Sequence, residues 1–123
     1  MSTILLAGGA GYIGSHTAVE ILNAGYDVVA ADNFANSSPE SIRRVEQITG
    51  KKIRLYEADI CDRAMLERIF SECQIDAVIH FAGLKAVGES VQKPIMYYRN
   101  NIDTTLSLLE TMEKFSVKNI IFS

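Results

Sequence analysis

A short apolar run followed by regularly spaced glycines stands near the start of the sequence and limits the folds that the chain can adopt. Residues 4–6 (Ile-Leu-Leu) form the run, which is typical of a strand buried on both faces of a parallel sheet. Gly8, Gly11 and Gly14 follow with the spacing G-x-x-G-x-x-G, a variant of the dinucleotide fingerprint in which glycine lets the backbone approach a pyrophosphate. The pattern predicts a strand, a phosphate-binding turn and a helix whose first amide groups favour an anion.

The residues after the glycines strengthen this interpretation, since glycines alone also mark ordinary strand-to-helix turns. A helical pattern starts at Tyr12 and stops at Gly25, and a second apolar strand ends at Asp32,. An acid at the end of the second strand is where adenosine ribose hydroxyls bind in dinucleotide folds. Asp32 therefore predicts NAD rather than NADP, because its charge repels a 2'-phosphate. A role for Asp32 as a strand-end turn residue is the alternative.

Length and composition are those of one globular domain. The chain has 123 residues, is 48% hydrophobic and 22% charged, and carries a formal net charge of -3, which gives neither a nucleic-acid footprint nor a basic membrane surface. The sequence has no apolar segment of bilayer length and no cationic region before its first apolar run, so we expect a cytoplasmic protein without a membrane partner. Cys61 and Cys73 match neither redox nor zinc spacing, so no metal site is predicted.

Strand and helix patterns alternate along the rest of the chain. Further strands are predicted at residues 53–58, 75–83 and 117–122, and further helices begin at Pro39, after Asp62 and at Pro94,. The apolar positions of the first two of these helices are Ile42, Val45 and Ile48, then Met65, Leu66, Ile69 and Phe70. The last helix has one apolar face of Ile102, Leu106, Leu109 and Met112, which Leu108 and Thr105 widen. The last stripe is broad, so we expect it to cover the sheet and leave a surplus for a partner subunit. We predict an α/β fold of Rossmann type, a doubly wound parallel sheet in the order 3-2-1-4-5 that ends after the fifth strand.

The ends of the predicted strands indicate where a ligand would bind, because the site of an open parallel sheet lies outside its carboxyl ends. The further site candidates at these ends are Asn33, Asn36, Ser37, Asp59, Ile60, Phe81, Ala82, Gly83 and Lys85. Other interpretations stay open: loop and capping chemistry for Asn33, Asn36 and Ser37, a helix cap for Asp59, core packing for Ile60 and Phe81, and solvent exposure for Lys85. His80 is interpreted as a buried strand residue rather than a catalytic one.

Three motifs together resemble a known family. They are residues 8–16 (GGAGYIGSH), residues 32–34 (DNF) and residues 80–90 (HFAGLKAVGES), and the third is the most specific. The sequence closely resembles the UDP-glucose (UDP-galactose) 4-epimerase family, which belongs to the extended short-chain dehydrogenases/reductases. The resemblance covers all 123 residues but only the first part of the family's chain. Ala7 departs from the family, which usually has threonine there.

The resemblance implies a reaction of carbohydrate metabolism on galactose and glucose. Tightly bound NAD would remove a hydride from C4 of the nucleotide sugar and return it to the other face of the 4-keto intermediate. The implied cofactor contacts at the pyrophosphate are the backbone groups of Tyr12 and Ile13. Around the adenosine they are Asp32, Asn33, Asn36 and Ser37, with Asp59 and Ile60 by the adenine. On the pyrophosphate and nicotinamide side they are Phe81, Ala82, Gly83 and Lys85, and Asn100 would turn inward from its helix toward the cofactor.

The family's proton-transfer residues are missing from the sequence. The family uses a Tyr-x-x-x-Lys pair, in which the cationic lysine lowers the pKa of the phenol, and no tyrosine here is followed by lysine at that spacing. The family's serine or threonine partner and its uridine-binding domain are expected beyond Ser123. We therefore expect residues 1–123 to be an incomplete NAD-binding Rossmann domain without catalytic residues, inactive unless the C-terminal substrate domain is supplied.

Partners follow from the same resemblance. A nucleotide-sugar substrate would bind only with the C-terminal part, the full-length family implies a homodimer, and the fragment could self-associate through its exposed fifth strand. Two alternatives stay open. One is a stand-alone NAD-binding or interaction module, and the other is the NAD half of a related sugar-nucleotide dehydratase or decarboxylase, against which residues 85–90 argue.

Overall fold

The computed structural model describes residues 2–8, 12–32, 39–58, 60, 62–81 and 94–122. At residues 12, 13, 94, 96–101, 104 and 122 it describes the backbone alone. Strands and helices alternate in the described ranges: β1 (Thr3–Ala7), α1 (Tyr12–Asn23), β2 (Asp27–Asp32), α2 (Pro39–Thr49), β3 (Arg54–Glu57), α3 (Arg63–Glu72), β4 (Ala77–His80), α4 (Pro94–Lys114) and β5 (Asn119–Phe122). The predicted order of elements is confirmed, and the last three strands are shorter than predicted.

The strands form one parallel sheet in the order β3-β2-β1-β4-β5. This confirms the predicted Rossmann-type topology. Successive side chains of a strand point to opposite faces of the sheet, so neighbouring residues of β1 belong to two different core layers. Leu5 packs in the α3/α4 layer with Leu66 and Leu108, while Leu6 packs in the α1/α2 layer with Leu22 and Val45. The central strand is therefore covered on both faces, as its continuous apolar run predicts.

The predicted end of α1 and the predicted starts of α2 and α3 are confirmed. Gly25 and Gly50 have φ angles of 95° and 68° just after α1 and α2, a left-handed conformation that ends helices and that glycine adopts without strain. Pro39 is the first residue of α2. The Asp62 carboxylate accepts a hydrogen bond of 3.3 Å from the Met65 amide at the start of α3, as an N-cap residue does.

The apolar stripes of α2 and α4 are only partly buried. Ile48 of α2 is 69% exposed, and Leu106 of α4 is 51% exposed, whereas Leu108 is fully buried. Ile102 and Leu109 are exposed on the same side of α4 as Leu106. The apolar residues of α4 cover a wider part of the helix surface than the sheet can bury. The face centred on Leu108 and Met112 contacts the core, and the rest of the stripe stays exposed.

Charged side chains connect α3 to α4 and β3 along the surface. The Arg63 guanidinium lies 3.1 Å from the Glu110 carboxylate, and Lys114 donates a hydrogen bond to Glu67, which together with the lysine charge lowers the pKa of Glu67. The Tyr56 hydroxyl donates to Glu72 at 2.8 Å and lowers the pKa of that carboxyl. Burial raises the pKa of the Tyr56 phenol, so it stays a donor at physiological pH.

Candidate functional site

Parallel pairing brings the ends of β1, β2 and β4 to one edge of the sheet. Ala7 lies opposite Ala31 of β2 and opposite His80 of β4. Gly8, Asp32 and Phe81 each come one residue later in their segments. These three residues therefore lie at the same level at the carboxyl edge, which is where open parallel sheets bind ligands.

The turn after β1 is anchored to both neighbouring strands. Gly8 has a φ angle of 87°, which an L side chain would strain, and its amide donates to the Ala31 carbonyl at 2.7 Å. On the other side, the Phe81 amide donates to the Ala7 carbonyl at 2.6 Å. The chain is thereby held at a fixed place as it leaves the sheet toward α1.

The first turn of α1 starts close to this edge. The helix begins at Tyr12, shortly after Gly8, and Gly14 in its first turn is buried. The first amides of a helix have no intrahelical partner and carry the positive end of the helix dipole. The first turn of α1 contains no acidic residue. This end of α1 can therefore bind an anionic group such as a phosphate.

Asp32 is the last residue of β2, and only 8% of it is exposed. Its carbonyl accepts a hydrogen bond of 3.0 Å from the Ala58 amide, which fixes the end of the strand against the segment after β3. Ala30 packs in the α1/α2 layer, so the alternation of side chains puts the Asp32 carboxylate on that side as well. A carboxylate and the first turn of α1 thus lie on the same side of the sheet edge.

Two further predicted site residues are described, and both contact the core. Ile60 is buried in the α3/α4 layer, and Phe81 is half-buried against the α1/α2 layer. For Tyr12, Ile13 and Asn100, the structure gives only their places in helices α1 and α4. The predicted residues outside the described ranges are Gly11, Asn33, Asn36, Ser37, Asp59, Ala82, Gly83 and Lys85. Their roles at a cofactor stay predictions.

One contact near the edge was not predicted from the sequence. The Nε2 atom of His80 lies 3.3 Å from the Oγ1 atom of Thr105 in α4. His80 is buried, as predicted, but no local pattern relates it to Thr105, because the two residues belong to different elements and are brought together by the sheet register.

The described residues contain no group of three or more histidine, cysteine, aspartate or glutamate side chains that could hold a metal ion. None of the described helices combines the length and the apolar character needed to cross a membrane.

The parallel sheet, the anchored turn at Gly8 and the buried acid at the end of β2 define a Rossmann-type fold of the dinucleotide-binding class. A family model described as GDP-mannose 4,6 dehydratase matches residues 5–123, and the chain belongs to that family.

The chain is also similar to proteins named UDP-glucose 4-epimerase. It is 62% identical over 120 residues to the Haemophilus influenzae protein, with 98% of this chain and 36% of that protein covered. It is 55% identical over 126 residues to the Homo sapiens protein, covering 98% of this chain and 36% of the relative. The chain thus spans about a third of the length of these relatives and matches their N-terminal part.

Solved structures give the same likeness. The Bifidobacterium longum UDP-glucose 4-epimerase in complex with NAD+ and UDP superposes with a TM-score of 0.97 at 60% identity, covering 99% of this chain and 36% of that one. The Brucella ovis enzyme in complex with NAD gives a TM-score of 0.88 at 38% identity, covering 99% and 35%.

Proposed function

We propose that this chain is the NAD-binding part of a UDP-glucose 4-epimerase. The observation that carries the proposal is the meeting of three features at one sheet edge: the anchored turn at Gly8, the first turn of α1 and the buried Asp32. A dinucleotide needs an anion site beside a ribose site. The Haemophilus influenzae, Bacillus subtilis and Homo sapiens relatives, with 55% to 62% identity to this chain, are named UDP-glucose 4-epimerase, which supports the same conclusion.

The described residues fit NAD. A diphosphate matches the amides of the first turn of α1, where the backbone of Tyr12 and Ile13 lies, and the adenosine ribose hydroxyls match the Asp32 carboxylate. When bound, NAD supplies the hydride acceptor of the reaction. The remaining proposed contacts are Gly8, Gly11, Gly14, Asn33, Asn36, Ser37, Asp59, Ile60, Phe81, Ala82, Gly83, Lys85 and Asn100.

We infer a division of labour within the longer protein. Residues 1–123 bind and orient the cofactor, and the nucleotide sugar and the proton-transfer residues belong to the additional length that the relatives have. By itself the chain therefore binds NAD and does not interconvert UDP-glucose and UDP-galactose. Cys73 is a free, buried thiol, which supports a reducing compartment such as the cytoplasm.

The second candidate is the NAD half of a sugar-nucleotide dehydratase, because the matching family model carries that description. Both candidates share the cofactor site, so they differ in the substrate chemistry of the longer protein. The high identity to epimerases favours the first candidate.

Calorimetric titration of the chain with NAD tests the proposed cofactor site. We expect a single saturable site and weaker binding of NADP, because the 2'-phosphate would meet the Asp32 carboxylate. Equal affinity for the two cofactors would contradict the assigned ribose contact. Absence of binding for both would contradict the proposed function of the chain.

We also propose that the protein forms a homodimer through the exposed apolar stripe of α4, which comprises Ile95, Ile102, Leu106 and Leu109. These residues recur at helical spacing and expose apolar surface on one side of the helix, as an interface between subunits does. Sedimentation velocity tests this. We expect a concentration-dependent dimer that Leu106→Glu converts to monomer.

Ile48→Glu is the matched control for the dimer, because Ile48 is an exposed apolar residue on a different helix. The same change in charge there should leave the sedimentation coefficient unchanged. A Leu106→Glu variant that sediments like the unchanged chain would contradict the interface.

A further inference from the structure

His80 is placed beside the anchored turn and faces α4. It is the last residue of β4, it lies opposite Ala7 in the sheet, and only 6% of it is exposed. Val78 packs in the α3/α4 layer, so alternation along the strand puts the His80 side chain on that same face. A buried imidazole thus lies between the end of the central strands and the helix above them.

Thr105 provides the polar contact on α4. It precedes Leu108 and Met112 on the buried side of the helix at the i, i+3, i+7 spacing of one helical face, and its Oγ1 atom is 3.3 Å from His80 Nε2. Apolar contacts such as those of Leu108 are not directional. A hydrogen bond is directional, so this contact restricts how far α4 can rotate or slide against β4.

The contact lies at the half of the site opposite the adenosine. If Asp32 binds the adenosine ribose beyond β2 and the first turn of α1 binds the diphosphate beyond β1, a dinucleotide that crosses the strand ends places its other nucleoside beyond β4. The first half of α4, which includes Asn100, starts at Pro94 and leads directly to Thr105. With the other nucleoside beyond β4, this half of the helix would border the nicotinamide end of the site, and its position relative to β4 would shape that end.

We propose that His80 and Thr105 act as positioning residues, forming a clamp that fixes the first half of α4 against β4 and thereby sets the nicotinamide half of the site. The inference rests on the proposed NAD-binding function and adds to it a pair of residues that do not touch the adenosine half. Loss of the clamp should therefore weaken the binding of ligands that reach the nicotinamide end. It should leave unchanged the binding of ligands that end at the diphosphate.

Thr105→Val removes the hydroxyl and keeps the shape of the side chain. We expect it to raise the Kd for NAD about three- to ten-fold, because the binding-competent position of α4 loses stabilisation of up to the net contribution of one hydrogen bond, and to leave the Kd for ADP within about two-fold. ADP is the appropriate probe because it contains the adenosine and the diphosphate and lacks the nicotinamide nucleoside. Thr105→Ser should restore the affinity for NAD, since it restores the hydroxyl.

Thr111→Val is the matched control. Thr111 is a fully buried threonine on the same helix, and its hydroxyl donates to the Ser107 carbonyl of α4 itself at 2.8 Å. The same chemical change there should leave both the Kd for NAD and the Kd for ADP unchanged. If Thr105→Val fails to fold, as judged by circular dichroism, Thr105→Ala replaces it with the same expected ratio of NAD to ADP affinities.

The outcomes separate the clamp from the proposed function. Equal weakening of NAD and ADP in the Thr105 variants, or no weakening of NAD, would overturn the clamp while the unchanged chain still binds NAD. An unchanged chain that binds neither ligand would overturn the proposed function and the clamp with it.

Discussion

The Asp32→Ala variant is expected to bind NAD about 10- to 100-fold more weakly than the unchanged chain, because hydrogen bonds to a charged group contribute about 1.5–3 kcal/mol. The carboxylate lies at the buried tip of β2, where water competes little for it. The same variant should lose most of the preference for NAD over NADP, since the repulsion of the 2'-phosphate goes with the carboxylate. Calorimetric titration with both cofactors measures the two effects together.

Asp27→Ala is the control for this experiment. Asp27 lies at the other end of the same strand and is exposed. The substitution therefore removes one negative charge from β2 without changing the carboxyl edge. NAD affinity should be unchanged in this variant. If both variants weaken NAD equally, the effect comes from net charge or from strand stability, and the assignment of Asp32 to the ribose is wrong.

The second large effect is expected in the core, at two leucines of α4 that differ only in the direction they face. Leu108 is fully buried and Leu106 is 51% exposed. Leu108→Ala should lower the free energy of unfolding by about 2–5 kcal/mol, because it removes buried methyl groups and leaves a cavity. Leu106→Ala should change that free energy by less than about 0.5 kcal/mol at concentrations where the chain is monomeric.

Urea denaturation of the two alanine variants checks this pair under identical conditions. Both substitutions remove the same atoms from the same helix and have the same effect on helix propensity, so the difference between them reports burial alone. Similar losses of stability in both variants would contradict the orientation of α4.

The parts of the fold that follow from local patterns could be predicted from the sequence. The run of residues 4–6 needs two covered faces whatever surrounds it, and Gly25 marks the end of α1 by its left-handed conformation,. The meeting of Gly8 with Asp32 was also predictable, because the carboxyl ends of parallel strands must lie at one edge once the strand order is known. These are consequences of sequence period and chain geometry.

The orientation of α4 could not be predicted in the same way. Apolar residues occur on more than one side of this helix, so the period alone does not distinguish Leu106 from Leu108; the distinction comes from the packing of Leu108 with Met112 and Val78. The contact of His80 with Thr105 depends on strand register and helix rotation together, and neither quantity has a local sequence signal.

The place of β1 in the sheet has a consequence for synthesis on the ribosome. β1 precedes β4 in the chain, yet β4, which ends at His80, is one of its two neighbours in the sheet. Leu5 and Leu6 therefore emerge long before both sides of their strand can pair, and nonlocal parallel pairing of this kind is slow. The second edge of β1 can pair only after β4 (Ala77–His80) has been synthesised, so a chaperone that covers this edge in the meantime would favour correct pairing for this topology.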